Sequence, residues 1–135
     1  MTTTSITRTE SEIMHKIVWF CEQVSNGMDA HWKIQNFTHS MSPKLLVESE
    51  GKKFVKLGVF KKTKSTDTFS CDGVYCFINK SNGDVLKAAS YKAPAPNGVR
   101  GNLFDANILS KVDVYGVCYV RGGGHFSSIE KLLAA

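Results

Sequence analysis

The stretch at residues 73–104, GVYCFINKSNGDVLKAASYKAPAPNGVRGNLF, decides how this chain is read. Val74, Cys76 and Ile78 alternate with Tyr75 and Phe77, so one strand is apolar on both faces. Such a strand belongs inside a sheet, covered on both sides. Asn82-Gly83 follows, a pair that tolerates the positive φ of a type I′ hairpin turn. Residues 85–91 then return antiparallel. In residues 92–102, Pro94 and Pro96 remove amide donors, while Asn97, Gly98, Gly101 and Asn102 permit unusual dihedrals. This predicts a shaped loop that either contacts an anion or a protein, or caps the sheet.

Upstream, residues 45–47 and 54–60 read as two strands around a turn at Glu50-Gly51. Period-two alternation puts Val55, Leu57 and Val59 on one face of the second strand, and Phe54, Lys56 and Phe60 on the other. Lys52, Lys53, Lys56, Lys61, Lys62 and Lys64 lie in or beside this strand, with no acidic residue among residues 52–64. Lysines interleaved with Phe54 and Phe60 suit a face that follows a phosphate backbone while aromatic rings meet bases. The competing reading is an edge strand whose lysines discourage sheet-to-sheet aggregation. Residues 63–72 read as a polar loop. Further on, residues 103–112 contain a short helical turn with Ile108 and Leu109 inward, and residues 115–120 form a last strand.

The chain begins with a polar lead at residues 1–8. Thr9 and Glu12 then form a capping box, opening a helix over residues 9–28. Ile13, Ile17, Cys21, Val24 and Met28 recur at helical spacing with Phe20 beside them, and Gly27 suits a left-handed end. The helix is expected to pack on the sheet; the alternative is an oligomer interface through Ile13, Ile17 and Phe20. Residues 29–42 connect it to the sheet, with a short extended piece at residues 32–37 whose Trp32 and Phe37 serve the core or an interface. A second capping box at residues 127–130 opens a short helix over residues 127–134. The prediction is therefore α+β: an antiparallel sheet of four or five strands within residues 44–121, with an amphipathic helix on one face. Residues 9–135 form one domain.

Composition bounds the function. The 135 residues carry a formal charge of +5, which favours an acidic partner. Four cysteines without a secretory leader read as reduced thiols, and no apolar run reaches the length of a membrane span. No cofactor is implied. His31 and His39 are eight apart and match no metal-ligand spacing; Cys71 and Cys76 lack the spacing of a zinc ribbon. Gly122-Gly123-Gly124 lacks the Gly-Lys-Ser/Thr ending of a phosphate loop. Cys118 with His125 is the one conceivable nucleophile pair, although a strand cysteine is more often core than catalyst. Asp67, Asp72, Asp84 and Asp105 all sit in turn-like contexts. The chain reads as non-enzymatic.

One run carries a resemblance. Cys76-Phe77, Lys80, Gly83-Asp84-Val85, Lys87-Ala88-Ala89-Ser90, Lys92-Ala93-Pro94-Ala95 and Arg100-Gly101-Asn102 form a pattern. It resembles a motif of small proteins of tailed phages and large DNA viruses that have no established activity. The group tends to have Trp at Tyr91, an acidic residue at Asn79, and basic or small residues at Pro96-Asn97. The resemblance does not cover the N-terminal helix, and it implies viral origin rather than an activity. The expected role is a virion or assembly component, in the host cytoplasm or the virion and not secreted. It would bind nucleic acid without regard to sequence, or neighbouring subunits. Lys52, Lys53, Lys56, Lys61, Lys62 and Lys64 would form one cationic strip; Lys87, Lys92 and Arg100 would form another. The alternatives are a structural homo-oligomeric subunit that uses the helix, Trp32 and Leu132-Leu133 for protein contacts, and a host-directed inhibitor or small enzyme.

Overall fold

The computed structural model describes residues 9–34, 42–62, 68–114, 116–117 and 128–134. Helix α1 (Glu10–Ile34) starts at the predicted capping box. The Thr9 amide donates to Glu12 Oε1 at 3.0 Å, and the Glu12 amide donates to Thr9 Oγ1 at 3.1 Å. Two orphan amides of the first turn are thereby satisfied. The helix does not stop at Gly27, and Trp32 is helical rather than extended. Gly27 is buried, and a Cβ there would lie 2.7 Å from Ile129 Cδ1. Its missing side chain is a packing device for the C-terminal helix, not a chain terminator. Beyond it, Met28 keeps the apolar stripe going and Lys33 pairs with Asp29 one turn earlier at 3.2 Å.

Five strands follow: β1 (Lys44–Glu50), β2 (Phe54–Lys62), β3 (Phe69–Asn79), β4 (Asp84–Ala88) and β5 (Pro94–Asn102). They form one antiparallel sheet in the order β1-β2-β3-β4-β5. A 3-10 turn (Ile108–Ser110), a two-stranded ribbon of β6 (Val112–Asp113) and β7 (Gly116–Val117), and helix α2 (Ile129–Ala134) complete the described fold. Ser128 caps α2 through the Lys131 amide at 3.2 Å. Ser127, Tyr115 and residues 118–120 of the expected last strand lie outside the described residues, as do residues 1–8 and Phe37.

Four expectations are corrected. Residues 94–102 are not a loop but the fifth strand. An edge strand tolerates Pro94 and Pro96 because one side of its backbone needs no donors. Gly98 and Gly101 are places of close approach: a Cβ at Gly98 would lie 2.9 Å from the Ala95 carbonyl oxygen, and one at Gly101 would lie 3.0 Å from Ile108 Cδ1. β3 begins at Phe69, inside the stretch read as a polar loop. The hairpin after β3 is not a two-residue turn. Residues 80–83 bridge it, with the Gly83 amide donating to the Asn79 carbonyl at 2.9 Å, and Gly83 at φ 82 supplies the left-handed step. Finally, β2 is the second strand of the sheet and not an edge, so edge protection does not explain its lysines.

The core lies on one side of the sheet. Ile13, Ile17, Phe20, Val24 and Met28 of α1 pack against Leu45, Val55, Leu57, Cys76, Ile78 and Val85. Leu103, Ile108, Val112, Ile129 and Leu132 join the same cluster. Full burial of each large apolar side chain contributes roughly 1.5–3 kcal/mol. Tyr75 is the extra residue of a bulge in the β2–β3 register, where Leu57 faces Cys76 and Gly58 faces Val74. This bulge lets both Tyr75 and Cys76 serve the helix side. The Tyr75 ring meets Phe20 edge-on at 6.5 Å, and its hydroxyl donates to the Asp113 carbonyl.

Candidate functional site: the open sheet face

Alternation along β2 turns Phe54, Lys56, Gly58, Phe60 and Lys62 away from α1, to what is here called the outer face. The cross-strand partners complete it. Phe60 faces Lys44 on β1 and Cys71 on β3; Lys62 faces Phe69; Lys56 faces Phe77; Phe77 faces Leu86 on β4; and Leu86 faces Val99 on β5. Among the described residues, α1, α2, the 3-10 turn and β6 all contribute to the core cluster on the other side. The expectation that β3 is covered on both sides is therefore met by an element on one side only. On the outer side Phe77 is shielded by its own neighbours, with Phe54 edge-on at 6.3 Å.

Two aromatic clusters divide this face. In one, the Lys44 ammonium sits 4.9 Å from the centre of the Phe69 ring, beside Phe60. In the other, Phe54 and Phe77 meet, and the turn at residues 89–93 brings Tyr91 to the face. The Lys56 ammonium lies 3.6 Å from the centre of the Tyr91 ring and donates to its carbonyl oxygen at 2.9 Å. Cations over ring faces are attracted by the ring quadrupole. Tyr91 is 55% exposed and Val99 49% exposed, large apolar surfaces facing solvent. Between the clusters lies Gly58. A Cβ there would meet Cys71 Sγ at 2.8 Å and the Gly73 carbonyl oxygen at 3.2 Å, so Gly58 is buried where Cys71 and Glu48 fill the middle of the face.

The predicted cationic strips divide. Lys56 and Lys62 share the outer face with the phenylalanines as expected. Lys61 turns to the helix side and pairs with Asp72 at 3.1 Å. Lys52 and Lys53 are exposed in the turn between β1 and β2. Lys64 lies outside the described residues. Within residues 52–64 the sequence holds no acid, yet strand pairing supplies one from each side. Glu48 meets Lys56 at 3.0 Å from β1, and Asp72 meets Lys61 from β3. The Lys56 hydrogen bond holds the Glu48 carboxyl below its usual range. The second strip does not align either. Lys87 follows Leu86 and so turns to the other side of β4, and Lys92 lies in the turn at residues 89–93. Arg100 folds back on its own strand, donating to the Asn97 carbonyl at 3.0 Å.

The expected interface residues are also reassigned. Ile13, Ile17 and Phe20 are fully buried in the core and have no surface left for a partner, and Leu132 is buried with them. Trp32 lines a cavity of about 300 Å³ with Met28, Pro43 and Val59 at the end of α1. Val18, on the flank of α1 beside β1, is an exposed apolar residue at mid-helix. Three members of the outer face escaped sequence reasoning: Lys44, Phe69 and Tyr91. Phe69 was legible only once its pairing with Lys62 was known, and Tyr91 reaches the face through a turn rather than a strand.

Both edges of the sheet are blunted. The Leu45 amide donates to Ser25 Oγ at 2.9 Å, so α1 occupies part of the β1 edge, and a bulge at Glu48 distorts the rest. β5 carries Pro94 and Pro96. A partner strand is thus disfavoured at either edge, which leaves the face as the accessible surface of the sheet. Burial pushes the Cys21 thiol up to about 12 and raises Cys76 as well, which keeps both protonated and unreactive. Cys118, His125 and the glycine run at residues 122–124 lie outside the described residues. Among the described residues no three His, Cys, Asp or Glu side chains gather as a metal would require, and no helix is long and apolar enough to cross a membrane.

A family model described as a family of unknown function, DUF7717, matches residues 1–120. No curated protein and no solved structure matches the chain.

Proposed function

The chain belongs to the DUF7717 family, and we propose that it is a non-enzymatic protein that takes single-stranded nucleic acid on its outer sheet face, without regard to sequence. The observation that carries this reading is the mixture of rings, Tyr91 exposed and the phenylalanines half-buried, with lysines on a sheet side that no described element covers. Tyr91, Phe54, Phe60 and Phe69 offer π-faces, with Lys44, Lys56 and Lys62 among them. Base stacking on such rings contributes roughly 1–3 kcal/mol per base and tolerates any sequence. Lys44 and Lys62 neutralise phosphates, which positions the strand without reading it, while Lys56, paired with Glu48, holds Tyr91 in place. A duplex hides its base faces and gains only the electrostatic part. The resemblance of residues 76–102 to a motif of small phage and viral proteins supports placing this binding in a virion or in its assembly.

The test is fluorescence anisotropy with a labelled single strand and a duplex of equal length, at low and moderate salt. The expected result is tighter binding of the single strand, with affinity falling as salt rises. Tyr91→Ala should weaken the single strand by about 1–3 kcal/mol and leave the duplex unchanged. Absence of binding at low salt, or equal binding of both forms, overturns the reading. One feature favours a second reading, a structural subunit. Val18 (62% exposed), Leu46 and Val47 line an apolar groove between α1 and β1. Self-association that persists at high salt, without any nucleic-acid binding, would select it.

A further inference from the structure

We infer that the outer face is a two-point site, which grips a strand only when the strand is long enough to reach both aromatic clusters. The inference rests on the nucleic-acid reading above and adds a length requirement to it. Phe60 and Phe54 stand on the same strand and the same face, and mark the two clusters. Their separation of six residues corresponds to about 20 Å at ~3.3 Å per residue. Between them β2 carries no ring. Gly58 has no side chain and is buried where Cys71 packs over it, and the Glu48 carboxylate beside it repels phosphate even while paired with Lys56.

A short oligomer therefore occupies one cluster at a time. Successive stacked bases are ~3.4 Å apart, so about six stacked steps span the gap. A more extended strand bridges it with about four nucleotides, the lower end of site sizes for one small β domain. Once the first cluster is occupied, the second binds intramolecularly at the effective concentration set by the connecting nucleotides. The substrate is thus a single strand of at least four to six nucleotides, engaged along β2.

The experiment is a series of labelled oligothymidylates from two to twelve nucleotides, titrated with the full chain at one low salt concentration. The expected result is weak, flat affinity for the shortest oligomers, a rise of about tenfold or more across four to six nucleotides, and a plateau beyond. Phe60→Leu, which keeps apolar bulk but removes the ring, should abolish the rise and leave a flat dependence on length. Tyr91→Ala, at an exposed turn, should do the same from the other cluster. A smooth increase with length and no step overturns the two-point site and leaves nucleic-acid binding standing. A step that persists in both variants also overturns it. No binding at any length removes the underlying reading as well.

Discussion

One sheet presents two unlike surfaces. Its inner face is aliphatic: Val55, Leu57, Ile78 and Val85 mesh with Ile13, Ile17 and Phe20 of α1, all of them buried to the point of negligible exposure. Its outer face, one residue out of phase, is aromatic and cationic, and among the described residues is closed by contacts between its own side chains. Aliphatic side chains interdigitate at crystal-like density and make a core. The outer face keeps π-surface exposed at Tyr91 and charge exposed at Lys44. The same backbone alternation builds both, so the difference lies in side-chain chemistry alone.

That contrast is breakable by mutation. The largest effect is expected at Phe20→Ala, which should cost about 3–5 kcal/mol through lost burial and the cavity left behind. Phe60→Ala on the outer face should cost much less, below about 1 kcal/mol, and should affect binding instead. Urea unfolding of the two variants measures both; similar losses would erase the distinction between the faces. Thiol labelling compares the faces without mutation. Cys71, half-buried on the outer face, should react with a maleimide in the native state. Cys21 and Cys76, buried and protonated on the inner face, should be protected by about 100-fold or more until the chain unfolds. Equal rates would contradict the assigned packing.

Gly58→Val sharpens the comparison, because it is an outer position expected to behave like an inner one. Its Cβ would meet Cys71 Sγ and the Gly73 carbonyl, and overpacking of that kind typically costs about 1–3 kcal/mol. A neutral variant would mean that Gly58 is not packed as described. The smallest effect concerns Glu48. Its carboxyl is held below the usual range by Lys56, so the pair stabilises the fold above the ordinary carboxylate range. That contribution is lost as pH falls through the lowered value. Removing the negative charge at neutral pH, with Glu48→Gln, should tighten polyanion binding by roughly twofold to threefold at low salt and not at high salt. Weaker binding would argue that Lys56 needs its partner to be held in place.

Much of the fold was legible because local patterns there were complete. The capping box at Thr9 and Glu12, the stripe from Ile13 to Met28 and the alternation of β2 each carry their meaning within a few residues. Long-range facts were not legible. Gly27 looks like a helix end until Ile129 is seen against it. Residues 94–102 look like a loop because Pro94, Pro96 and two glycines are poor strand formers, and only pairing with β4 at a sheet edge accommodates them. The candidate site was half legible for the same reason. Phe54, Lys56, Phe60 and Lys62 fall on one face by alternation, which sequence alone reveals. That Glu48 and Asp72 would neutralise Lys56 and Lys61 depends on strand register, and so does the arrival of Lys44 and Phe69 beside Phe60.

The central claim is that the outer face, and not the cationic turns, is where a strand lies. Amide chemical-shift mapping during titration with an oligothymidylate of eight nucleotides tests it directly. The account predicts perturbations at Lys44, Phe54, Phe60, Phe69 and Tyr91, with α1 from Ile13 to Met28 unaffected. Perturbations confined to Lys52, Lys53 and Lys80 in the turns, or none at any residue, would contradict it.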